Sequence, residues 1–124
     1  MTRGQRLLLV EDNELNRDML SRRLCRAGFS TTIAEDGEQA LRRITEDRPD
    51  LVLLDMNLPI IDGWTVCERV RANAEVATTP IIALTAHAMA EDRDRALAAG
   101  CDDYATKPID FPALLDKIRR LLAS

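Results

Sequence analysis

Short apolar runs recur along the chain and predict the inner strands of a parallel sheet. Three of them, at residues 7–10, 51–54 and 81–84, consist only of Leu, Ile, Val and Ala. An unbroken run, rather than an alternation of apolar and polar positions, is typical of a strand that is covered on both faces. Two weaker strands, at residues 31–34 and 103–105, complete a predicted set of five.

Five helices are predicted between and after these strands, because apolar residues recur there with the period of an amphipathic helix. The apolar stripes are Leu20, Leu24 and Ala27 in the first helix, Ala40, Leu41 and Ile44 in the second, and Phe111, Leu114, Leu115, Ile118, Leu121 and Leu122 in the last. Residues 64–72 and 91–99 supply the other two helices. The expected end signals are Gly28 and Gly100 after two helices, an Asp36–Gln39 capping box, and Asp110 as a cap followed by Pro112.

This strict alternation of strands and helices predicts the fold class. Right-handed crossovers between parallel strands give a doubly wound, open α/β sheet, and we expect the flavodoxin-like strand order 2-1-3-4-5. No linker or low-complexity stretch interrupts the pattern, so we expect residues 1–124 to form one domain with no output domain. In such a sheet, ligands bind at the carboxyl ends of the strands.

Composition and charge narrow the class of protein. With 46% hydrophobic and 31% charged residues, the chain has the profile of a globular domain rather than of a disordered or fibrous one. A formal net charge of -4 gives no electrostatic reason to bind nucleic acid or an anionic membrane, so we expect a protein partner, no nucleic acid and no membrane. The apolar run at residues 7–10 is far shorter than a signal-peptide core or a membrane span, which favours a cytoplasmic location.

The three cysteines are interpreted as packing residues. Cys25, Cys67 and Cys101 are odd in number and far apart in the sequence. Neither a disulfide framework nor a CxxC metal site follows from this spacing. We therefore expect three reduced thiols.

Acidic residues lie at the ends of two of the strongest predicted strands. The first strand is predicted to end in Val10-Glu11-Asp12, and the third in Leu54-Asp55. Three carboxylates at one edge of a sheet repel one another unless a cation compensates their charge. Mg²⁺ is the expected cation, because it binds one or two carboxylates, retains several waters and leaves positions for phosphate oxygens.

A hydroxyl and an amine are expected at the same edge. The fourth strand is predicted to end at Leu84-Thr85-Ala86, and the fifth leads into Thr106-Lys107-Pro108. Carboxylates, a hydroxyl and an ammonium around a Mg²⁺ ion suit phosphoryl transfer, in which the protein positions groups and neutralises charge. An aspartate can act as the nucleophile in such a reaction, and the central position of Asp55 favours it for that role.

Motifs at successive strand ends resemble a known family. They are Glu11-Asp12, Asp55 with the following Leu58-Pro59 and Asp62-Gly63, Thr85-Ala86, and Lys107-Pro108. In order, spacing and strand position they resemble the response-regulator receiver domain of two-component signalling, and the resemblance covers essentially the whole chain. Each motif alone is common, whereas all of them together are specific.

The resemblance implies roles for the acidic pocket. Asp55 would accept a phosphoryl group from a phosphohistidine. Asp12, Asp55 and the backbone carbonyl of Asn57 would bind Mg²⁺, and Glu11 would contribute through a water. Asn57 and His87 would border the phosphate and tune its lifetime.

The resemblance also implies a switch. Lys107 and the Thr85 hydroxyl would hold phosphate oxygens, with a cis Lys107-Pro108 bond aiming the lysine into the pocket. Tyr104 would turn inward as Thr85 moves towards the phosphate. The surface formed by the fourth helix, the fifth strand and the fifth helix would then change its affinity for a protein target.

Partners follow from the same resemblance. The phosphodonor would be a sensor histidine kinase or a histidine phosphotransfer protein, and the chain would be a monomer or a weak phosphorylation-dependent dimer. It would catalyse its own phosphorylation and, slowly, its own dephosphorylation, without being a true enzyme. We expect either a stand-alone single-domain regulator, which the ends of the chain favour, or a receiver cut from a hybrid kinase.

Other interpretations stay open at this point. A haloacid-dehalogenase-type phosphatase also uses an Asp nucleophile, Mg²⁺, a Thr and a Lys, but that family has a second Asp where this chain has Asn57. A docking module that is never phosphorylated would share the fold. Asp12 and Asp55 could each simply cap a turn, and Tyr104 could simply fill space.

Overall fold

Strands and helices alternate along the chain in the computed structural model, which describes residues 5–86 and 90–123, the latter range without the side chains of 90–93. The strands are β1 (Arg6–Val10), β2 (Ser30–Ala34), β3 (Leu51–Asp55), β4 (Ile81–Thr85) and β5 (Asp103–Thr106). The helices are α1 (Glu14–Arg26), α2 (Gly37–Asp47), α3 (Gly63–Ala72), α4 (Ala90–Ala98) and α5 (Phe111–Leu122).

The five strands form one parallel sheet in the order β2-β1-β3-β4-β5. The predicted fold class and strand order are therefore confirmed. The strands extend further than their apolar runs, because parallel pairing continues through Asp55, which is paired with Leu84, and through Thr85, which is paired with Thr106. Asp55 and Thr85 are thus the last residues of β3 and β4, at the strand ends where the sequence predicts them.

The helices cover both faces of the sheet and divide the core into two layers. One layer packs α2, α3 and α4 on the sheet through buried residues such as Ile44, Val66 and Ala96. The other packs α1 and α5 through buried residues such as Leu24 and Ile118. Alternate residues of β1, β3 and β4 point into opposite layers, which is why these strands are apolar at successive positions.

Helix ends follow the glycine and capping signals. Gly28 and Gly100 have φ of 100° and 107°, and each continues a Schellman motif in which the next residue donates back to the helix, as Cys101 N–H does to the Ala96 carbonyl. Asp36 caps α2 by accepting from the Gln39 N–H. The capping box differs from the predicted one, since the Gln39 side chain accepts from the N–H of the residue before Asp36.

The loop between β3 and α3 is fixed by close backbone packing. Ile60 has φ of 71°, and the Ile61 N–H donates to the carbonyl two residues earlier at 2.8 Å, which makes a γ-turn. A Cβ added at Gly63 would lie 2.6 Å from the Cα of Met56, and one added at Gly37 would overlap the Ile61 carbonyl. The two glycines therefore let α2, α3 and this loop approach the carboxyl end of β3.

Each helix within the described ranges is too short or too polar to cross a lipid bilayer.

Candidate functional site

The carboxyl edge of the sheet gathers the polar side chains singled out in the sequence. Glu11 follows β1 and is 4% exposed, and its N–H donates to the Ala34 carbonyl of β2. Asp55 ends β3 and is 2% exposed, while Asp12 is exposed at the rim. Lys107 follows β5, where its backbone N–H donates to the Thr85 carbonyl at 2.8 Å. Strand order thus converts residues that are remote in sequence into one cluster.

One ammonium group contacts two carboxylates in this cluster. Lys107 Nζ lies 3.0 Å from Asp55 Oδ2 and 3.2 Å from Glu11 Oε1. Glu11, Asp12 and Asp55 each offer a carboxylate oxygen, and these three atoms lie within 4.8 Å of one another. The cluster therefore holds more negative than positive charge in a small, largely buried volume.

The charges in the cluster shift one another's titration. Burial is the main reason that the pKa of Glu11 is raised to about 7, and the hydrogen bond and negative charge of Asp55 add to it, while Lys107 opposes. Burial alone would lower the pKa of Lys107, but its contacts with Asp55 and Glu11 outweigh burial and place that pKa above its ordinary value. Lys107 is therefore positively charged, and the Glu11 carboxyl is partly protonated near neutral pH.

Backbone groups orient the two buried carboxylates. The Asn57 N–H donates to Asp55 Oδ1 at 3.0 Å, so both Asp55 oxygens have a donor. The Asn13 N–H donates to Glu11 Oε2 at 3.3 Å. Asp55 is thus fixed by a tight turn on one side and by Lys107 on the other.

Arg17 is a supporting residue that the sequence interpretation missed. It lies in the second turn of α1, and its Nη1 donates to the backbone carbonyls of Glu11 at 3.2 Å and Asp12 at 3.4 Å. Its Nη2 lies 3.3 Å from a carboxylate oxygen of Glu35. Only its place one turn into the helix that follows the acidic pair could have indicated this role.

The donor set fits a hard divalent cation. Three carboxylates converge within 4.8 Å beside a single ammonium, and the pKa of Glu11 is raised mainly by burial, with the hydrogen bond and negative charge of Asp55 adding to it. Oxygen ligands of this kind are those that Mg²⁺ prefers. Asp12 lies on the solvent side of the cluster, where an ion can enter and retain waters.

Thr85 and the Lys107-Pro108 bond lie at the same edge of the sheet, and Tyr104 lies within β5. Thr85 is buried at the end of β4, and the Lys107-Pro108 peptide bond is cis. Tyr104 is half-buried on β5, and the Lys117 ammonium of α5 lies 5.4 Å from its ring centre. His87 lies outside the described residues.

A family comparison matches this arrangement. The family model for the response regulator receiver domain matches residues 7–119, which include Glu11, Asp12, Asp55, Thr85 and Lys107. This chain belongs to the response regulator receiver domain family. Receiver domains are signalling switches of two-component systems, so the resemblance seen in the sequence is confirmed.

Two solved structures show how closely this receiver domain resembles others. The receiver domain of sensor histidine kinase PA1611 from Pseudomonas aeruginosa PAO1 is 39% identical, with a TM-score of 0.91 over 98% of this chain and 99% of that one. It has a magnesium ion coordinated in its active site cleft. A second match, 29% identical with a TM-score of 0.91 over 99% and 92%, is in the complex of the Saccharomyces cerevisiae phosphotransfer protein Ypd1 with the receiver domain of Ssk1.

A curated relative corrects one expectation about partners. The DNA-binding dual master transcriptional regulator RpaA of Synechocystis is 37% identical over 117 residues, which are 94% of this chain and 48% of RpaA. The chain spans about half the length of the curated relatives it matches. The expectation that nucleic acid is excluded as a partner is therefore wrong, because a net charge summed over a receiver domain says nothing about other parts of a protein that contains one.

Proposed function

We propose that Asp55 is the phosphoacceptor of a two-component or phosphorelay pathway and takes its phosphoryl group from a phosphohistidine in a Mg²⁺-dependent reaction. One observation carries the proposal. The buried Asp55 carboxylate contacts Lys107 at 3.0 Å while two further carboxylates lie beside it. A purely structural acid would not be expected among like charges, because each added carboxylate makes its ionised form less favourable.

The chemistry assigned to this chain is nucleophilic. A carboxylate oxygen of Asp55 attacks phosphorus as the bond from phosphorus to the histidine nitrogen breaks, and the imidazole leaves with that electron pair. The Asn57 N–H and the Lys107 ammonium hold the carboxylate in one orientation before the donor arrives. Lys107 then neutralises charge on the phosphoryl oxygens, with the Thr85 hydroxyl as a second contact.

Asp12, Asp55 and the backbone carbonyl of Asn57 would hold Mg²⁺, with Glu11 acting through a water. When bound, the ion supplies positive charge to phosphoryl oxygens. The partly protonated Glu11 carboxyl would lose its proton as the ion binds, because a cation beside a carboxylate favours its ionised form. Asn57 and His87 would set how fast water removes the phosphoryl group.

The docking side of the site has room for a donor protein. A cavity of about 520 Å³ beside Lys107 is lined by Met19, Leu20 and Arg23 of α1 and by Pro108 and Ile109 after β5. A histidine kinase or a histidine phosphotransfer protein would dock on this face with the helix that carries its phosphohistidine facing Asp55. The Ypd1–Ssk1 complex supports a phosphotransfer partner for a domain of this fold. We place the exchange in the cytoplasm, with residues 1–124 acting as one domain.

Phosphorylation would be transmitted through β4 and β5. Thr85 is paired with Thr106, and Tyr104 lies two residues earlier on the same strand, opposite Ala83. We propose that inward movement of the Thr85 hydroxyl opens space into which Tyr104 turns. We predict that Tyr104→Ala abolishes most of the phosphorylation-dependent gain in affinity for the target protein, whereas Tyr104→Phe retains it. Titration of phosphorylated and unphosphorylated domains with that target measures the gain, and an unchanged gain in Tyr104→Ala would remove Tyr104 from the switch.

Labelling with a small phosphodonor tests the proposed acceptor. The domain is incubated with acetyl phosphate with and without Mg²⁺, and its intact mass is measured. We expect one added phosphoryl group that depends on Mg²⁺, none in Asp55→Asn, and normal labelling in Asp116→Asn, which removes an exposed carboxylate of α5. Equal labelling of Asp55→Asn would refute the assignment, and continuous turnover of p-nitrophenyl phosphate would indicate a phosphatase instead.

A further inference from the structure

Two cysteines lie against each other in the core, which their sequence spacing did not indicate. Cys67 of α3 and Cys101, just after α4, are 34 positions apart, yet their Sγ atoms lie 3.3 Å apart. They are 0% and 5% exposed, whereas Cys25 is exposed. The expectation of unrelated packing thiols is therefore incomplete for this pair. Since bonded sulfurs lie about 2.05 Å apart, a movement of roughly 1.2 Å would join them.

The backbone around Cys101 is fastened to the helix that carries Cys67. Arg71, one turn after Cys67 on α3, donates from Nε to the Gly100 carbonyl at 2.7 Å and from Nη2 to Asp102 Oδ2 at 2.8 Å. One guanidinium group thus holds both chain neighbours of Cys101. The contact between the two sulfurs is set by this network and by the Schellman motif at the end of α4, not by chance side-chain packing.

We propose that Cys67 and Cys101 form a redox-modification site, in which a peroxide converts the two thiols to a reversible intramolecular disulfide that ties α3 to the start of β5. The site lies at the amino ends of β4 and β5, at the opposite edge of the sheet from Asp55. It goes beyond the phosphoacceptor role and does not depend on it.

The local electrostatics assign different roles to the two sulfurs. The hydrogen bond from Cys101 is the largest influence on Cys67 and lowers its pKa, with help from the positive charge of Arg71 and opposition from burial, Asp102 and Glu68. The same hydrogen bond, together with burial, raises the pKa of Cys101. Because Cys101 donates to Cys67 across the 3.3 Å contact, we assign Cys67 as the sulfur that reacts first and Cys101 as the resolving thiol.

The reaction balances with one peroxide. The Cys67 thiolate attacks a peroxide oxygen, the O–O bond breaks, and hydroxide leaves and is protonated to water, which gives a sulfenic acid at Cys67. The Cys101 thiol then attacks the sulfenic sulfur, the S–O bond breaks, and a second water leaves. Two thiols and one hydrogen peroxide thus give one disulfide and two waters.

Access to this buried pair would come from local opening of α4. Ala96 is the buried side chain of α4 among its described residues from 94 onward, and Leu97 is substantially exposed. Among the described residues, α4 is held by this small apolar contact, by the contact of Arg95 with Trp64 and by the Arg71 hydrogen bond to Gly100. Local opening of these contacts requires less free energy than unfolding of the whole domain. Cys101 lies three residues after the last residue of α4, Ala98, so opening of that helix end would uncover the thiol pair.

The disulfide would restrain the part of the domain that contains α4. It closes a loop that runs from α3 through β4 and α4 to Cys101. Cross-linking such a loop stabilises the folded state mainly by restricting the unfolded chain. If the proposed switch is correct, the same bond would also limit movement of α4 against α3, where Arg95 lies 4.3 Å from the ring centre of Trp64.

The test uses the folded protein with Cys25→Ser, which leaves only the proposed pair of thiols. It is exposed to hydrogen peroxide at pH 7, quenched, unfolded and treated with a maleimide. We expect an intact mass about 2 Da below that of the reduced protein, no maleimide added, and recovery of both reactive thiols with dithiothreitol. The thermal midpoint of the oxidised protein should rise by roughly 5 to 15 °C.

Matched variants distinguish the roles of the two cysteines and define the results that would overturn the proposal. In Cys25→Ser with Cys101→Ser, Cys67 should gain an oxygen and be trapped by dimedone without forming the internal disulfide. Asp55→Asn in the Cys25→Ser background should oxidise like its parent, which separates this proposal from the phosphoacceptor role. The exposure time is set as the time in which the exposed Cys25 of the unaltered chain is fully oxidised. If the Cys25→Ser protein still takes up two maleimides after that time, the proposal is overturned. A disulfide that forms only in urea would overturn it as well.

Discussion

The two edges of the sheet both carry charged clusters, but they are balanced differently. At the carboxyl edge, one Lys107 ammonium contacts two carboxylates and a third lies within 4.8 Å, so negative charge is in excess. At the amino edge, the Arg71 guanidinium donates to three backbone carbonyls and to Asp102, whose carboxylate also accepts from the Ile81 N–H. The satisfied cluster supports the fold, and the uncompensated one is positioned for chemistry.

This difference has an energetic meaning. Hydrogen bonds at the amino edge satisfy backbone groups that would otherwise be left without partners, and removing such a donor is costly. At the carboxyl edge, a buried carboxylate beside another carboxylate lowers stability, so removing one should cost little or even stabilise the fold. The comparison therefore predicts opposite effects of charge removal on stability at the two edges.

The largest stability effect is expected at the amino edge. Arg71→Ala removes the donors to the carbonyls of Ala77, Thr79 and Gly100, and should lower the free energy of unfolding by about 2 to 4 kcal/mol in urea titrations. Arg71→Lys should recover less than half of the loss, because one ammonium cannot span all of these acceptors. A loss below about 1 kcal/mol would mean that this network is not structural.

Stability should fall with rising pH because of Glu11. The folded state raises the pKa of this carboxyl from 4.5 to about 7, so it binds a proton more tightly than the unfolded chain does. The resulting contribution is fully present below pH 4.5 and is lost as the pH rises through about 7, with a total near 1 to 3 kcal/mol. Urea titrations across this range should show the decrease in the unaltered protein and not in Glu11→Gln. An equal decrease in the free energy of unfolding with pH in both proteins would contradict the raised pKa of Glu11.

A smaller effect is expected from the metal. Mg²⁺ at ten times its dissociation constant should stabilise the folded domain by about 1.4 kcal/mol, and removing it with EDTA should reverse the gain. Asp12→Asn should lose most of this increment. Asp116→Asn, which breaks an exposed ion pair with Arg120, should keep it and change stability by less than about 0.5 kcal/mol. An equal gain in Asp12→Asn would place the ion elsewhere.

The sequence was sufficient to predict the carboxyl edge because parallel strands impose it. Once β1, β3 and β5 are placed in order, Glu11, Asp55 and Lys107 must lie at the same edge, whatever the side chains between them. Apolar runs and glycine caps were enough to place the strands and to end α1 and α4. Hydrophobic periodicity therefore predicts the fold, and the strand order brings Glu11, Asp55 and Lys107 to one edge.

Contacts that depend on helix packing could not be predicted in the same way. The meeting of Cys67 with Cys101 depends on how α3 lies against the end of α4, and the reach of Arg71 depends on the same packing. Arg17 on the carbonyls behind Glu11 and the capping contact of Gln39 depend on side-chain rotamers. No spacing rule in the chain specifies these choices, so they appear only in three dimensions.

The most direct test of the central claim is to locate the phosphoryl group. After incubation with acetyl phosphate and Mg²⁺, reduction with borohydride converts a phosphorylated aspartate to homoserine, which peptide mass spectrometry can assign. We expect homoserine at position 55 alone, and none in the sample prepared without Mg²⁺. Homoserine at position 12, or equally at several exposed acidic positions, would contradict Asp55 as the acceptor.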